Sequence, residues 1–186
     1  MPDTSNTIAQ PGGIIITLDG ITPKVHPTAF IAPTAVLIGD VEVGPETNIW
    51  FGCVLRGDVN HIRVGARTNL QDGTIVHVDQ RTYPCIIGDD VTIGHGAIVH
   101  ACTLKDRAFV AIGSIVLDGA VVEEGGMLGT GGLLAGGKVI GPNELWLGSP
   151  ARFKRVLSDE DRANFDFIAP HYARLGQRYR AGMRMA

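Results

Sequence analysis

Aliphatic residues recur at every sixth position along most of this chain, a spacing that neither a helix nor an isolated strand satisfies. Val25, Ile31, Leu37, Val43, Ile49 and Leu55 set the beat. After three inserted residues it resumes at Val64, Leu70 and Val76, and after five more at Ile87, Ile93 and Val99. One residue is then dropped, and the beat runs on through Leu104, Val110, Val116, Val122, Leu128, Leu134, Ile140 and Trp146. Side-chain direction repeats every 3.6 residues in a helix and every two in a strand. A period of six fits a solenoid of short strands, each closed by a turn, with one aliphatic side chain per strand directed inward. Glycine follows the aliphatic residue at Gly44, Gly65, Gly88, Gly94, Gly129 and Gly141, where a tight corner or a positive φ is expected. The 25 glycines and the 6% aromatic content suit stacked short strands better than a core of large rings.

The pattern resembles that of the hexapeptide-repeat, or isoleucine-patch, superfamily. The resemblance implies a mainly β fold: a left-handed parallel β-helix, triangular in section, with three hexads per coil. The handedness rests on the resemblance alone, since chain sterics favour right-handed crossovers. With three hexads per coil, the hexads at Leu55, Val76 and Val99 share a face. The residues that follow them, Arg56, His77 and His100, then form a column spaced by about 4.8 Å. Imidazoles from His77 and His100 can converge on one cation at Zn–N distances of ~2.0–2.1 Å. Asp72 and His95 stack on the adjacent face, so His95 leaves the prism in a different direction. A threefold trimer would bring His95 of one protomer to His77 and His100 of another, giving three shared sites.

The upstream motifs narrow the resemblance. The chain carries Arg56-Gly57-Asp58, then Asn69-Leu70-Gln71-Asp72-Gly73, then His77, and then Gly94-His95-Gly96-Ala97-Ile98-Val99-His100. This series is similar to that of the γ-class carbonic anhydrases over about residues 20–180. The resemblance implies metal ligands His77, His95 and His100 and one divalent metal per subunit. Three histidines and an open position suit Zn²⁺, while Fe²⁺ and Co²⁺ accept the same donors. It implies reversible hydration of CO2 to bicarbonate by a metal-bound hydroxide at the interface of a homotrimer. Gln71 would orient water or substrate, Asn69 would brace the turn before the site, and Asp72 would support Arg56 or His95. Arg56 and Asp58 match a family pair that bridges subunits, and Tyr172 matches a tyrosine near the metal pocket or packs the C-terminal helix. A metal-dependent acyl-CoA thioesterase, a hexapeptide acyltransferase and a non-catalytic scaffold subunit are the alternatives. His26, His61 and His171 match no ligand and read as surface residues.

Two departures bear on proton transfer. Val59 stands where the best-studied family form has a glutamate after the aspartate of the first motif. The loop after His77 is short, Val78 to Pro84, with Asp79 as its one acid. The group that carries protons from the metal to solvent is therefore not matched, and Asp79 or buffer would have to substitute.

The rest of the chain reads more simply. Residues 1–13 are expected to be disordered, 14–151 to form the β-helix with an opening strand or cap over 14–24, and 152–186 to form a C-terminal helical segment. Ser158 is the expected N-cap, followed by Asp159, Glu160 and Asp161. Ile168, Tyr172, Leu175 and Tyr179 form an apolar stripe, which Pro170 should kink or break. Residues 152–186 hold eight Lys/Arg and four Asp/Glu, against eight and fifteen elsewhere, suggesting a basic helix docked on an acidic body. The net charge of −3 points away from nucleic acid. Cys53, Cys85 and Cys102 form no C-x-x-C pair and suggest a reducing compartment, with Cys53 and Cys102 as buried fillers. No apolar run reaches the ~20 residues of a membrane span, and the N-terminus lacks signal-peptide character, so the expected location is cytoplasmic.

Overall fold

The computed structural model describes residues 12–184. Most of the region expected to be disordered, residues 1–11, lies outside the described residues; Gly12 and Gly13 lead into a strand at Ile14–Ile16.

The six-residue beat becomes about seven coils of parallel β-solenoid. Each coil contributes one rung to each of three faces. Leu37, Leu55, Val76, Val99, Val116 and Leu134 stack in register on the first face. Val43, Val64, Ile87, Leu104, Val122 and Ile140 stack on the second. Ile31, Ile49, Leu70, Ile93, Val110, Leu128 and Trp146 stack on the third. Eighteen of the twenty positions on the beat lie buried in one continuous core, and Val25 and Trp146, at its two ends, are partly buried against it. Cys53, Cys85 and Cys102 are free thiols in the same core. Burial pushes the Cys53 thiol up to about 11.

The insertions shape the surface around the first face. The strand Val54–Val64 runs unbroken around a corner, as does its neighbour Val36–Val43, so the first two faces form a single sheet. The three extra residues shift the pairing from Gly39↔Gly57 to Val41↔Ile62, so residues 58–61 bulge outward opposite Asp40. The five extra residues form the loop after His77, and Asn60 Nδ2 ties the bulge to it by donating to Asp79 O at 3.2 Å.

The glycines after the beat residues serve close approach rather than a positive φ. None of the six named above has its φ in the left-handed region. A Cβ on Gly94 would lie 2.6 Å from Ile112 N and 2.8 Å from Ala111 C, both backbone atoms of the next coil. The left-handed residue comes two positions later, as at Gly96 (φ 66°), where a Cβ would meet open space.

The solenoid ends in an antiparallel pair, Glu144–Leu147 with Arg152–Val156, and then a helix over Asp159–Gly182. Ser158 caps the helix: Asp161 N–H donates to the Ser158 side chain, and the Asp161 carboxylate accepts from Ser158 N–H. The break expected at Pro170 is absent, and the helix continues through it. Proline removes one intrahelical bond, and both halves are fixed to the solenoid by packing: Ala169, Ala173 and Gly176 are all buried. These small residues make the closest approach, with a Gly176 Cβ falling 3.0 Å from Asn48 Cβ. The expected stripe flanks them. Ile168, Tyr172 and Leu175 are half-buried and Tyr179 is exposed at its edge, while Tyr172 and Tyr179 set their rings 5.7 and 5.1 Å from that of Trp50. The helix therefore docks through small and aromatic residues, not through basic charge. The ion pairs Arg107–Asp166 at 2.7 Å and Arg155–Asp161 at 2.5 Å both have the arginine outside the helix and the carboxylate on it.

Candidate functional site

The register of the first face puts Arg56, His77 and His100 opposite one another on three successive rungs. His77 Nδ1 and His100 Nε2 face each other at 3.1 Å, with ring centroids 5.1 Å apart. The other nitrogen of each ring meets a carboxylate: His77 Nε2 lies 3.0 Å from Asp58 Oδ1, and His100 Nδ1 lies 2.5 Å from Asp118 Oδ1. Asp58 reaches His77 because the bulge carries it out of the sheet. Burial acts to raise the Asp58 carboxyl, but hydrogen bonds from His77 and Arg56 outweigh it and hold the group below the usual carboxylate range. Arg56 pairs with Asp58 within the chain and is half-exposed.

His95 stands apart from that pair. Its Nδ1 lies 3.0 Å from Asp72 Oδ2, and both side chains are 46% exposed. Among the described residues of one chain, no three His, Cys, Asp or Glu side chains form a group able to hold a metal ion.

The donor set nevertheless fits a cation. A carboxylate that accepts from His77 Nε2–H leaves Nδ1 with a bare lone pair, and a carboxylate at His100 Nδ1 leaves Nε2 in the same state. With both rings in those tautomers, two lone pairs would point at each other across 3.1 Å. Two ligand nitrogens of a tetrahedral ion, each at ~2.0–2.1 Å, are separated by about 3.3 Å. A carboxylate behind each imidazole is also the usual companion of a metal-binding histidine.

Gln71 and Asn69 lie on the third face, under the helix. Both are buried; Asn69 Nδ2 donates to Thr92 Oγ1 at 2.8 Å, and Gln71 Nε2 donates to Asn69 Oδ1 at 3.2 Å. Asn69 thus fixes the Gln71 amide, whose carbonyl oxygen is the end available to accept from a ligand. Burial raises the Tyr172 phenol, and the charge of Asp72 adds to that effect. Asp79 does not point a free carboxylate at the histidines. Its Oδ2 accepts from Arg81 N–H at 3.0 Å and Thr82 N–H at 2.8 Å, and these bonds keep its carboxyl below the ordinary range. His26 and His171 are exposed, and His61 is half-buried in the bulge. Asp118 was missed by the motif reading. The available signal was its hexad, since Val116 lies three hexads beyond Val99 and so stacks on it.

Fold and site together define a hexapeptide-repeat β-solenoid that bears a stacked pair of carboxylate-backed histidines. No protein-family profile matches the chain. It is 47% identical over 164 residues to γ carbonic anhydrase 1, mitochondrial, of Arabidopsis thaliana, covering 86% of this chain and 60% of that protein. It is 44% identical over 162 residues to a carbonic anhydrase of Geobacillus kaustophilus, covering 87% and 88%. The crystal structure of a hexapeptide transferase family protein from Anaplasma phagocytophilum superposes with a TM-score of 0.86 at 48% identity, covering 89% of this chain and 98% of that one. The chain belongs to the γ carbonic anhydrase family. It spans about three fifths of the length of the plant relatives. No helix among the described residues is long and apolar enough to cross a membrane.

Proposed function

We propose that the chain is a metal-dependent lyase that interconverts CO2 and bicarbonate, working as a homotrimer with each site shared between two protomers. The observation that carries this reading is the His77–His100 pair, whose Nδ1 and Nε2 face each other at 3.1 Å with a carboxylate behind each ring, while His95 projects elsewhere with its own carboxylate. His77 and His100 of one protomer and His95 of the next would hold the ion, with zinc the best match to three imidazoles and an open position. Such an ion lowers the pKa of water bound to it to about 7, a value that belongs to carbonic anhydrase chemistry in general and not to any distance in this chain. Asp58, Asp72 and Asp118 keep the three rings in orientation. The Gln71 carbonyl, steadied by Asn69, would accept a hydrogen bond from water at that site, and Tyr172, packed on Trp50, would close it on the helix side. An acyl-transfer reading has support from the names of two solved structures, the hexapeptide transferase family protein of Anaplasma phagocytophilum and a Bacillus cereus protein named as an acetyltransferase, at 43% identity. Hydrolysis of acetyl-CoA by the zinc-loaded protein, with no bicarbonate formed from CO2, would favour the metal-dependent thioesterase, whereas acyl transfer to an amine or hydroxyl acceptor without metal would favour the acyltransferase.

Subunit mixing tests the shared site. His95→Ala protein keeps one half of each site and His100→Ala protein keeps the other, so neither alone should bind zinc or hydrate CO2. Unfolding and refolding an equal mixture should restore about a quarter of the wild-type zinc and activity, because a random trimer completes one interface in four. No recovery would exclude a site built across protomers.

A further inference from the structure

We infer that Asp118 is the positioning residue that decides which nitrogen of His100 is free to bind a cation. The inference builds on the metal-site reading above. Val116 stacks on Val99, and Gly119 N–H donates to Ala101 O at 2.8 Å, which clamps the 118 segment against the rung that carries His100. Asp118 Oδ1 then sits 2.5 Å from His100 Nδ1. Among the described residues, His100 is the one charged-group partner of Asp118 within ion-pair distance. A carboxylate can only accept, so the His100 proton is drawn to Nδ1 and the Nε2 lone pair is turned toward His77.

Removing that acceptor has a specific consequence. An amide at position 118 can turn its NH2 group toward Nδ1. His100 then carries its proton on Nε2 and donates it to His77 Nδ1, 3.1 Å away. The resulting His–His hydrogen bond occupies both nitrogens that a cation needs. Asp118 thus acts through His100, without touching substrate or ion, and it does so from outside the sequence motifs that mark the other site residues.

Two measurements on the full-length protein test this. Long-range ¹H–¹⁵N correlation on the metal-free protein at about pH 8, above the ordinary imidazole range, reads the His100 tautomer directly. Chelator competition reads zinc affinity. Wild type should show His100 as the Nδ1–H form. Asp118→Asn should shift it to Nε2–H and weaken zinc binding by about 10–100-fold, whereas Asp166→Asn, remote from the histidines, should change neither. A wild-type His100 in the Nε2–H form would overturn the inference without any variant having to fold. So would an Asp118→Asn protein that keeps its zinc affinity within about threefold. If the wild type takes up no zinc at all, the metal-site reading fails, and the tautomer comparison still decides the role of Asp118.

Discussion

His77 and His100 sit on neighbouring rungs of one face with Nδ1 and Nε2 3.1 Å apart, each ring backed by a carboxylate on its far side. Replacing either histidine with alanine should remove stoichiometric zinc, measured by atomic emission after dialysis, and lower CO2 hydration by at least about 100-fold. Far-ultraviolet circular dichroism should be unchanged, because both rings project outward from the core. His61→Ala should retain zinc and rate. Equal losses for His61→Ala and His77→Ala would remove the assignment.

Turnover should depend on external buffer. Val59 is exposed and cannot carry a proton, and the Asp79 carboxylate is already bonded to two loop N–H groups. Stopped-flow rates should therefore rise severalfold with imidazole concentration before reaching a plateau, as general acid–base assistance by solute requires. A rate independent of buffer would mean that the chain supplies its own shuttle.

Two glycines two residues apart should fail for different reasons. Gly94→Ala drives a methyl group into the backbone of the next coil and should cost about 2–3 kcal/mol. Gly96→Ala has room but must hold φ near 66°, and should cost about 1–2 kcal/mol. Urea denaturation would rank them; the opposite order would show that the coils can separate locally.

The C-terminal helix should lose stability in acid. Asp161 is held below the usual carboxylate range by Arg155, then by the Ser158 N–H and hydroxyl. A carboxyl with a depressed folded-state value contributes fully above its unfolded value, about pH 3.9, and the contribution disappears as pH falls through the folded value. Helical ellipticity followed downward from neutral pH should begin to fall near pH 4 in wild type. Ser158→Ala should weaken the helix by about 1 kcal/mol at neutral pH. An acid-insensitive helix would show that its packing alone holds it.

Much of this architecture was readable because a solenoid makes its contacts at fixed sequence offsets. Once Leu55, Val76 and Val99 are known to share a face, the meeting of His77 with His100 and of Asp72 with His95 follows by counting. The helix start was readable for a similar reason, since Ser158 and Asp161 are three residues apart. The path of the helix through Pro170 was not readable, because burial of Ala169, Ala173 and Gly176 against the solenoid outweighs a local helix-breaking preference. Nor was the choice between a corner and a close approach at Gly94, which depends on how near Ile112 comes on the next coil.

By itself the sequence determined the repeat, the aliphatic core and the identity of the stacked histidines, since each depends only on spacing along the chain. Only the tertiary structure decided which nitrogen of His77 and of His100 meets a carboxylate and which faces the other ring. That depends on carboxylates delivered from elsewhere: Asp58 by a bulge in one strand, and Asp118 by a rung one coil further on. Counting hexads puts Asp118 on the rung beside His100, but which ring nitrogen each carboxylate meets is set by how the coils and the bulge settle against each other.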